Sequence, residues 1–201
     1  MSVIRPPLRK TDFHDAGARK LFLAFYLGQE RYVMAASDIV AVRRFETARP
    51  VPGAPAWVCG LITHAMRPVP LIDLSARATG VASRRVTSTR IVLVTYAWPP
   101  KSSSSSNLLA VMVEQATETI HLNTAAFVDA GVHVPTARYL GPVIDTDAGF
   151  VQWIRVQDLL DDEVRACLIG ACEAAVKSSE IHDGCADEAN GSAASPDAAP
   201  R

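Results

Sequence analysis

Short apolar runs separated by turn residues constrain this chain more than any other feature of its sequence. Residues 21–27 (LFLAFYL) and 31–36 (RYVMAA) flank a Gly-Gln-Glu turn, an arrangement that predicts a strand, a tight turn and a second strand. Three more short runs rich in apolar residues lie at 57–62, 69–74 and 91–96, and each is too short for a typical helix. Turn residues recur about every 8–12 positions, which favours a small β-barrel or a β-sandwich.

Both faces of the first predicted strand carry apolar side chains, so we expect both faces to be buried. One face carries Leu21, Leu23, Phe25 and Leu27, and the other carries Phe22, Ala24 and Tyr26. Two later segments stay ambiguous. Ser37 and Asp38 can cap a helical turn or open a strand, and LLAVMVEQATETIHL at 108–122 can form one long strand or two with a bend. GFVQWIRV at 149–156 is expected to be the last strand.

The chain divides into a flexible arm at 1–19, a β-domain at 20–161, a helix at 162–178 and a disordered tail at 179–201. Asp161 or Asp162 can cap the helix, and acidic residues suit its positive N-terminal end. The helix carries one apolar stripe, which consists of Val164, Cys167, Leu168, Ala171 and Ala175. Five consecutive serines, Ser102–Ser106, predict a solvated hairpin loop, favoured over a phosphorylation site.

Composition argues against several classes of protein. The formal net charge is -1, with 20 basic and 21 acidic residues, and aromatic residues make up 6%. A nucleic-acid binder would show a basic excess with stacking aromatics. The first residues of the chain are polar, so we expect no signal peptide. The sequence contains no run of 18 apolar residues, so we expect no membrane span. The four cysteines form no C-x-x-C pair, which is typical of reduced thiols in the cytosol.

No group of residues predicts catalysis, a cofactor or a metal site. Cys59 and His64 are a conceivable nucleophile and base, but Cys59 lies in an apolar run where small buried cysteines are common. His121 and His133 have no third ligand in register. Asp73 is a lone carboxylate at a strand end that can cap a turn or meet a basic side chain. The residues alone therefore assign no activity and indicate only a β-rich module that binds a ligand. A nucleic-acid binder and an enzyme that uses Cys59 or Asp73 are the rival interpretations.

The run VPGAPAWVCGLITHAMRPVPLIDL at 51–74 resembles the most recognisable stretch of the CheW-like domain family. The family pattern V-P-G-A-P-x-W, followed by G-(L/I)-(I/V), V-P and I-D-L, aligns without a gap. FYLGQERYVMAASDIVAVRRF resembles the opening of the family, and LLAVMVEQATETIHL and FVQWIRVQDLL resemble its later strands. The resemblance covers about residues 20–161.

The resemblance implies a mainly β fold of two five-stranded SH3-like barrel subdomains that share a core, with a C-terminal helix. It implies a non-enzymatic adaptor, cytoplasmic and located at receptor arrays under the inner membrane. The partners would be the cytoplasmic tip of a methyl-accepting chemoreceptor and the regulatory domain of a CheA-like histidine kinase. Val42 and Arg43 are the implied receptor contacts. Gly60 matches a glycine near the kinase-binding face, where a close backbone turn is an equal explanation, and Trp57 is expected in the core.

The sequence also departs from the family pattern. The family's N-L-R-G falls on Thr63-His64-Ala65-Met66, so its arginine and turn glycine are absent, and its V-x-E-V glutamate falls on Ala41. These changes suggest a dedicated, divergent pathway. RIVLVTY, EQATETIHL and TARYLGPV resemble the WspB-type adaptors of the Wsp surface-sensing system, which implies control of cyclic di-GMP synthesis.

Overall fold

The computed structural model describes residues 18–98, 108–129, 131 and 134–183. Within these ranges the chain forms nine strands and two α-helices. The strands are β1 (Arg19–Leu27), β2 (Glu30–Ala35), β3 (Ile39–Arg44), β4 (Val58–His64), β5 (Arg67–Asp73), β6 (Arg90–Thr95), β7 (Leu108–Asn123), β8 (Leu140–Thr146) and β9 (Gly149–Ile154). The helices are α1 (Leu74–Thr79) and α2 (Asp162–Asp183).

The long strand β7 belongs to two five-stranded sheets. Its first part pairs with β5 and β6, and its second part pairs with β1. The register between β1 and β7 shifts close to Gln115, whose φ of 51° places a non-glycine residue in the left-handed region. The sheet order is β7-β1-β2-β9-β8 in what we call barrel A, and β3-β6-β7-β5-β4 in barrel B.

Single backbone bridges bring together the two edges of each sheet. Arg49, just beyond β3, bridges Leu61 of β4 in barrel B, and Val128 bridges Val143 of β8 in barrel A. These bridges close each sheet into a small barrel, which leaves few backbone groups unpaired. This confirms the expected fold of two SH3-like five-stranded subdomains.

Successive side chains along a strand point to opposite faces of the sheet, and the apolar side chains of the strands form three clusters. In β6, Ile91 and Leu93 fill the interior of barrel B, whereas Val92 and Val94 face a larger core shared by both barrels. In β1, Phe22 and Ala24 fill barrel A, and the alternate residues face the shared core. The sequence prediction that both faces of the first strand are buried is therefore confirmed, except at Leu21, which is exposed, and at Tyr26, which is partly buried.

Helix α2 packs against the shared core. Val164 and Leu168 are buried members of that core, and Cys172 is buried one turn further along. Three of the five residues in the predicted stripe, Cys167, Ala171 and Ala175, are only partly buried. The helix extends to Asp183 instead of ending at 178, and the rest of the predicted tail lies outside the described residues.

Most expected strands are present, and two elements were missed. The segment at 36–44 contains both alternatives, since a 3-10 turn at Ala36–Asp38 leads directly into β3. The segment at 108–122 is one continuous strand. Helix α1 and strand β8 were not predicted. The serine loop and almost all of the N-terminal arm lie outside the described residues, although β1 already begins at Arg19.

Candidate partner-binding surface

Strand β3 lies at the edge of barrel B and presents an apolar residue to solvent. It pairs with β6 along one side only. Val42 lies opposite Val92, a residue of the shared core, yet 46% of Val42 remains exposed. Val40 is also exposed. Since large apolar side chains on an edge strand are usually covered or replaced by charges, this edge is a candidate contact surface.

Arg43 holds β3 to β4. Its Nη1 donates to the carbonyl oxygen of Thr63 at 3.2 Å, and its Nη2 donates to Glu46 Oε2 at 3.1 Å. The guanidinium therefore reaches across the gap between the two edge strands of barrel B. Arg43 has this intramolecular role whether or not a partner contacts it, so its contact with a receptor remains a prediction.

Gly60 has a structural reason to be glycine. Its φ is +131°, and a Cβ atom at this position would lie 2.1 Å from the carbonyl oxygen of Arg49. That close approach is held by two backbone hydrogen bonds between Arg49 and Leu61, each 2.8 Å long. The bridge that closes barrel B thus requires a residue without a side chain at 60. A kinase contact at this residue stays a prediction.

The turn between β4 and β5 carries the residues that depart from the family pattern. Ala65 and Met66 have φ values of 48° and 63°, so both adopt the left-handed conformation of a tight hairpin turn. Met66 stands where the family has glycine, and it is 93% exposed. The hairpin therefore keeps the turn geometry without the glycine that favours it, and presents a large apolar side chain at its tip.

A buried arginine connects the two barrels. The Arg77 guanidinium in α1 lies 4.3 Å from the ring centre of Trp57 and 5.3 Å from that of Tyr139. Its Nη2 donates to both carboxylate oxygens of Asp161, at 3.1 and 3.2 Å, and its side chain is 7% exposed. Sequence reasoning missed this cluster because α1 was not predicted. Trp57 is partly buried and packs against the shared core, as expected.

Two of the residues considered for catalysis, Cys59 and Asp73, have structural surroundings. Burial, followed by the negative charge of Asp73, raises the pKa of the Cys59 thiol to about 11, so the thiolate is disfavoured. Asp73 caps α1 and accepts from the backbone N–H of Ala76 at 3.1 Å. No group of three potential metal ligands occurs among the described residues, and His133 lies outside them.

The two barrels, their shared core and the helix packed on it define the class of protein. Residues 21–164 match the CheW-like domain family. The chain belongs to this family. Within the described ranges no helix is long and apolar enough to cross a membrane.

A solved structure shows the same fold. The scaffolding protein TtCheW from Thermoanaerobacter tengcongensis superposes with a TM-score of 0.62 at 19% sequence identity. The alignment covers 75% of this chain and 94% of that chain. No curated protein matches the sequence.

Proposed function

We propose that this chain is a non-enzymatic adaptor that couples a methyl-accepting chemoreceptor to a CheA-like histidine kinase in the cytoplasm. Membership of the CheW-like domain family over residues 21–164 is the observation that carries this proposal. The raised pKa of Cys59 and the capping role of Asp73 favour binding over catalysis.

The receptor contact is proposed on the outer face of β3. Val42 is an exposed apolar residue on an edge strand, and the β4–β5 hairpin beside this strand presents Met66. A receptor tip is a helical hairpin, and helices bind by placing apolar side chains against such surfaces. Each contact of this size is weak alone and is strengthened when several copies assemble in one array under the inner membrane.

A Wsp-type pathway that controls cyclic di-GMP is the finer proposal. It rests on the sequence resemblance of three segments to WspB-type adaptors and on the altered turn at 63–66. A partner matched to Ala65 and Met66 would differ from one matched to arginine and glycine. Binding to the Wsp receptor fragment but not to a flagellar receptor fragment, both from the same genome, would support this assignment.

The experiment uses the full chain, receptor-tip fragments and the regulatory domain of each CheA-like kinase from the same genome. We expect saturable binding by calorimetry to one receptor tip and to one kinase domain. Val42→Asp should weaken receptor binding about tenfold or more, because it places a charge in an apolar contact. Val81→Asp is the matched control, since Val81 is an exposed valine in the loop after α1.

The result that would contradict the proposal is the absence of binding to every receptor tip and kinase domain by a folded protein. The alternative would then be a β-barrel module with another ligand. We prefer Val42→Asp to a change at Arg43, because Arg43 also holds β3 to β4 and its loss would affect folding.

A further inference from the structure

Two arginines lie directly opposite each other on β3 and β6. Arg44 is the cross-strand partner of Arg90, and Val42 is the partner of Val92 two positions along the same strands. Paired residues on antiparallel strands share a face, as do residues two apart. Arg44 and Arg90 therefore lie beside Val42, on the face of barrel B that borders the shared core.

This arginine pair is not neutralised within the described part of the chain. The Arg44 guanidinium has no hydrogen bond or ion pair there and is exposed. The Arg90 guanidinium donates to the carbonyl oxygens of Thr87 and Thr89, which carry no charge. Glu114 follows the residue opposite Arg90 on β7, but its Oε1 accepts from the backbone N–H of Arg84 at 2.7 Å. Like charges directly opposite in a sheet are destabilising, so the pair costs stability that folding alone does not explain.

We propose that Arg44 and Arg90 form a carboxylate-binding site for an acidic residue of the receptor tip, next to the apolar contact at Val42. The inference rests on the proposed function and names the chemistry of the partner. Two guanidinium groups on one face can hold a carboxylate by charge-assisted hydrogen bonds, which are stronger than neutral ones.

The charge of the surrounding barrel favours an acidic partner. Residues 39–98 contain eight arginines and no lysine, against one glutamate and one aspartate. Residues 114–183 instead contain twelve acidic and four basic residues. Opposite fields on the two parts of the molecule orient an incoming charged partner, because complementary potentials steer association. An acidic partner is thus drawn towards barrel B.

A helix is favoured over a nucleic acid at this surface. Single-stranded nucleic acids are bound by basic grooves with exposed aromatic side chains. Among the described residues, Phe150 is the single aromatic residue in the set of exposed large apolar side chains, and it lies in barrel A. The arginine pair has an exposed valine beside it instead. Val42 and Arg44 are about 7 Å apart along the strand, and one turn of helix rises about 5.4 Å, so an apolar and an acidic residue about one turn apart would match them.

The test measures binding of the receptor-tip fragment to the full chain by calorimetry at low and at physiological salt. The variants are Arg44→Gln, Arg90→Gln and the double change. We expect the double variant to bind about tenfold more weakly at low salt and to lose much of the salt dependence shown by the natural protein. We also expect Arg44→Gln to have an equal or higher melting temperature, since it removes the like-charge pair and Arg90 keeps its hydrogen bonds. A structural role for the pair predicts the opposite change in melting temperature.

Arg138→Gln is the matched control, since Arg138 is an exposed arginine outside barrel B. It should change neither affinity nor salt dependence. Arg44→Glu should lose binding and regain it when the acidic residue of the receptor tip is changed to lysine.

Three results would overturn the inference. Unchanged receptor binding by the double variant would leave the adaptor function intact and remove the carboxylate site. A lower melting temperature with unchanged salt dependence would make the pair structural. The third result has two parts. The natural protein would bind no receptor tip, and it would bind a single-stranded RNA in a salt-sensitive way that the double variant loses. That result would remove the adaptor function as well.

Discussion

At the scale of single residues, the hairpin turn at Ala65 and Met66 departs most from what its backbone favours. Residues other than glycine pay a steric cost in the left-handed region, because Cβ approaches the following carbonyl oxygen. A long apolar side chain that is almost fully exposed gains nothing from burial to offset that cost. The turn is therefore formed at the expense of stability.

Replacing Met66 with glycine should stabilise the fold. We expect Met66→Gly to raise the free energy of unfolding by roughly 1 kcal/mol, because glycine adopts the left-handed conformation without the Cβ clash. Chemical denaturation followed by circular dichroism measures the change. If Met66 also contacts a partner, the same variant binds its receptor tip more weakly although it is more stable.

The turn at Gly28 provides the matched control in the opposite direction. Gly28 has a φ of +63°, and a Cβ atom there would meet no other atom within 4 Å. Gly28→Ala should therefore lower the free energy of unfolding by about 1 kcal/mol through backbone strain alone. Equal stability of Met66→Gly and the natural protein would show that the turn at 65–66 is not strained.

The Cys59 thiol should react slowly in the folded protein at neutral pH. Burial and the nearby Asp73 carboxylate raise its pKa from 9.0 to about 11, so the thiolate fraction stays small until the pH approaches that value. Alkylation of Cys59, followed by mass spectrometry, should become faster from pH 8 to pH 10 without reaching a plateau. The unfolded protein should reach its plateau near the ordinary thiol pKa. A plateau below pH 8 in the folded state would indicate an activated cysteine and reopen the question of catalysis.

At the scale of elements, the short helix α1 depends on one buried carboxylate. Besides capping α1, Asp73 accepts from the backbone N–H of Ser83 at 2.8 Å and from the Ser83 hydroxyl at 2.6 Å. Asp73 thus connects the end of β5, the start of α1 and the loop that leads to β6. Its side chain is buried, so loss of the carboxylate leaves donors that water cannot easily reach.

Removing this carboxylate should be costly, and removing only its charge should cost less. We expect Asp73→Ala to lower the free energy of unfolding by about 3 kcal/mol, from a lost cap and unsatisfied donors. Asp73→Asn keeps one acceptor oxygen and should lose about 1–2 kcal/mol. Denaturant unfolding of both variants tests the order. If Asp73→Ala and Asp73→Asn lose the same free energy of unfolding, the effect comes from the charge of Asp73 and not from its hydrogen bonds.

The elements that the sequence predicts are those whose alternation is regular. Strands β1, β2 and β6 have apolar residues on both faces and clear turn residues at their ends, so periodicity and turns locate them. Helix α1 has only six residues, too few for a helical period, and the carboxylate of its cap, Asp73, is also bound by Ser83, ten positions away. Strand β8 contains Gly141 and Pro142, which weaken the strand pattern.

The candidate site was only partly predictable for a similar reason. The family resemblance implies a receptor contact at Val42, but the position of Val42 on an edge strand and the pairing of Arg44 with Arg90 depend on the register between two strands that are distant in sequence. The arrangement of Arg77 between Trp57 and Tyr139 likewise requires packing of both barrels. Such contacts arise from tertiary structure, and local pattern carries no signal for them.

At the scale of the whole molecule, the shared core joins the two barrels into one folding unit. That core contains Leu23 and Phe25 from barrel A, Val92 and Val94 from barrel B, and Leu168 from α2. Strand β7 runs through both sheets without interruption. Neither barrel can unfold alone without exposing the apolar surface of the other, which is unfavourable at about 25 cal/mol for each Å².

Both barrels should therefore unfold in a single transition. Trp153 packs against Phe22 in barrel A at 5.0 Å between ring centres, and Trp98 packs against Tyr96 at the end of β6 at 4.8 Å. Variants that keep one of these tryptophans and carry phenylalanine at the other tryptophan positions report on barrel A and on the shared core at the end of β6. In each variant the denaturant midpoint from fluorescence should equal the midpoint from circular dichroism, as two-state unfolding requires. Separate midpoints would mean that the barrels are independent, and an adaptor built from them would not hold its two partner surfaces in a fixed arrangement.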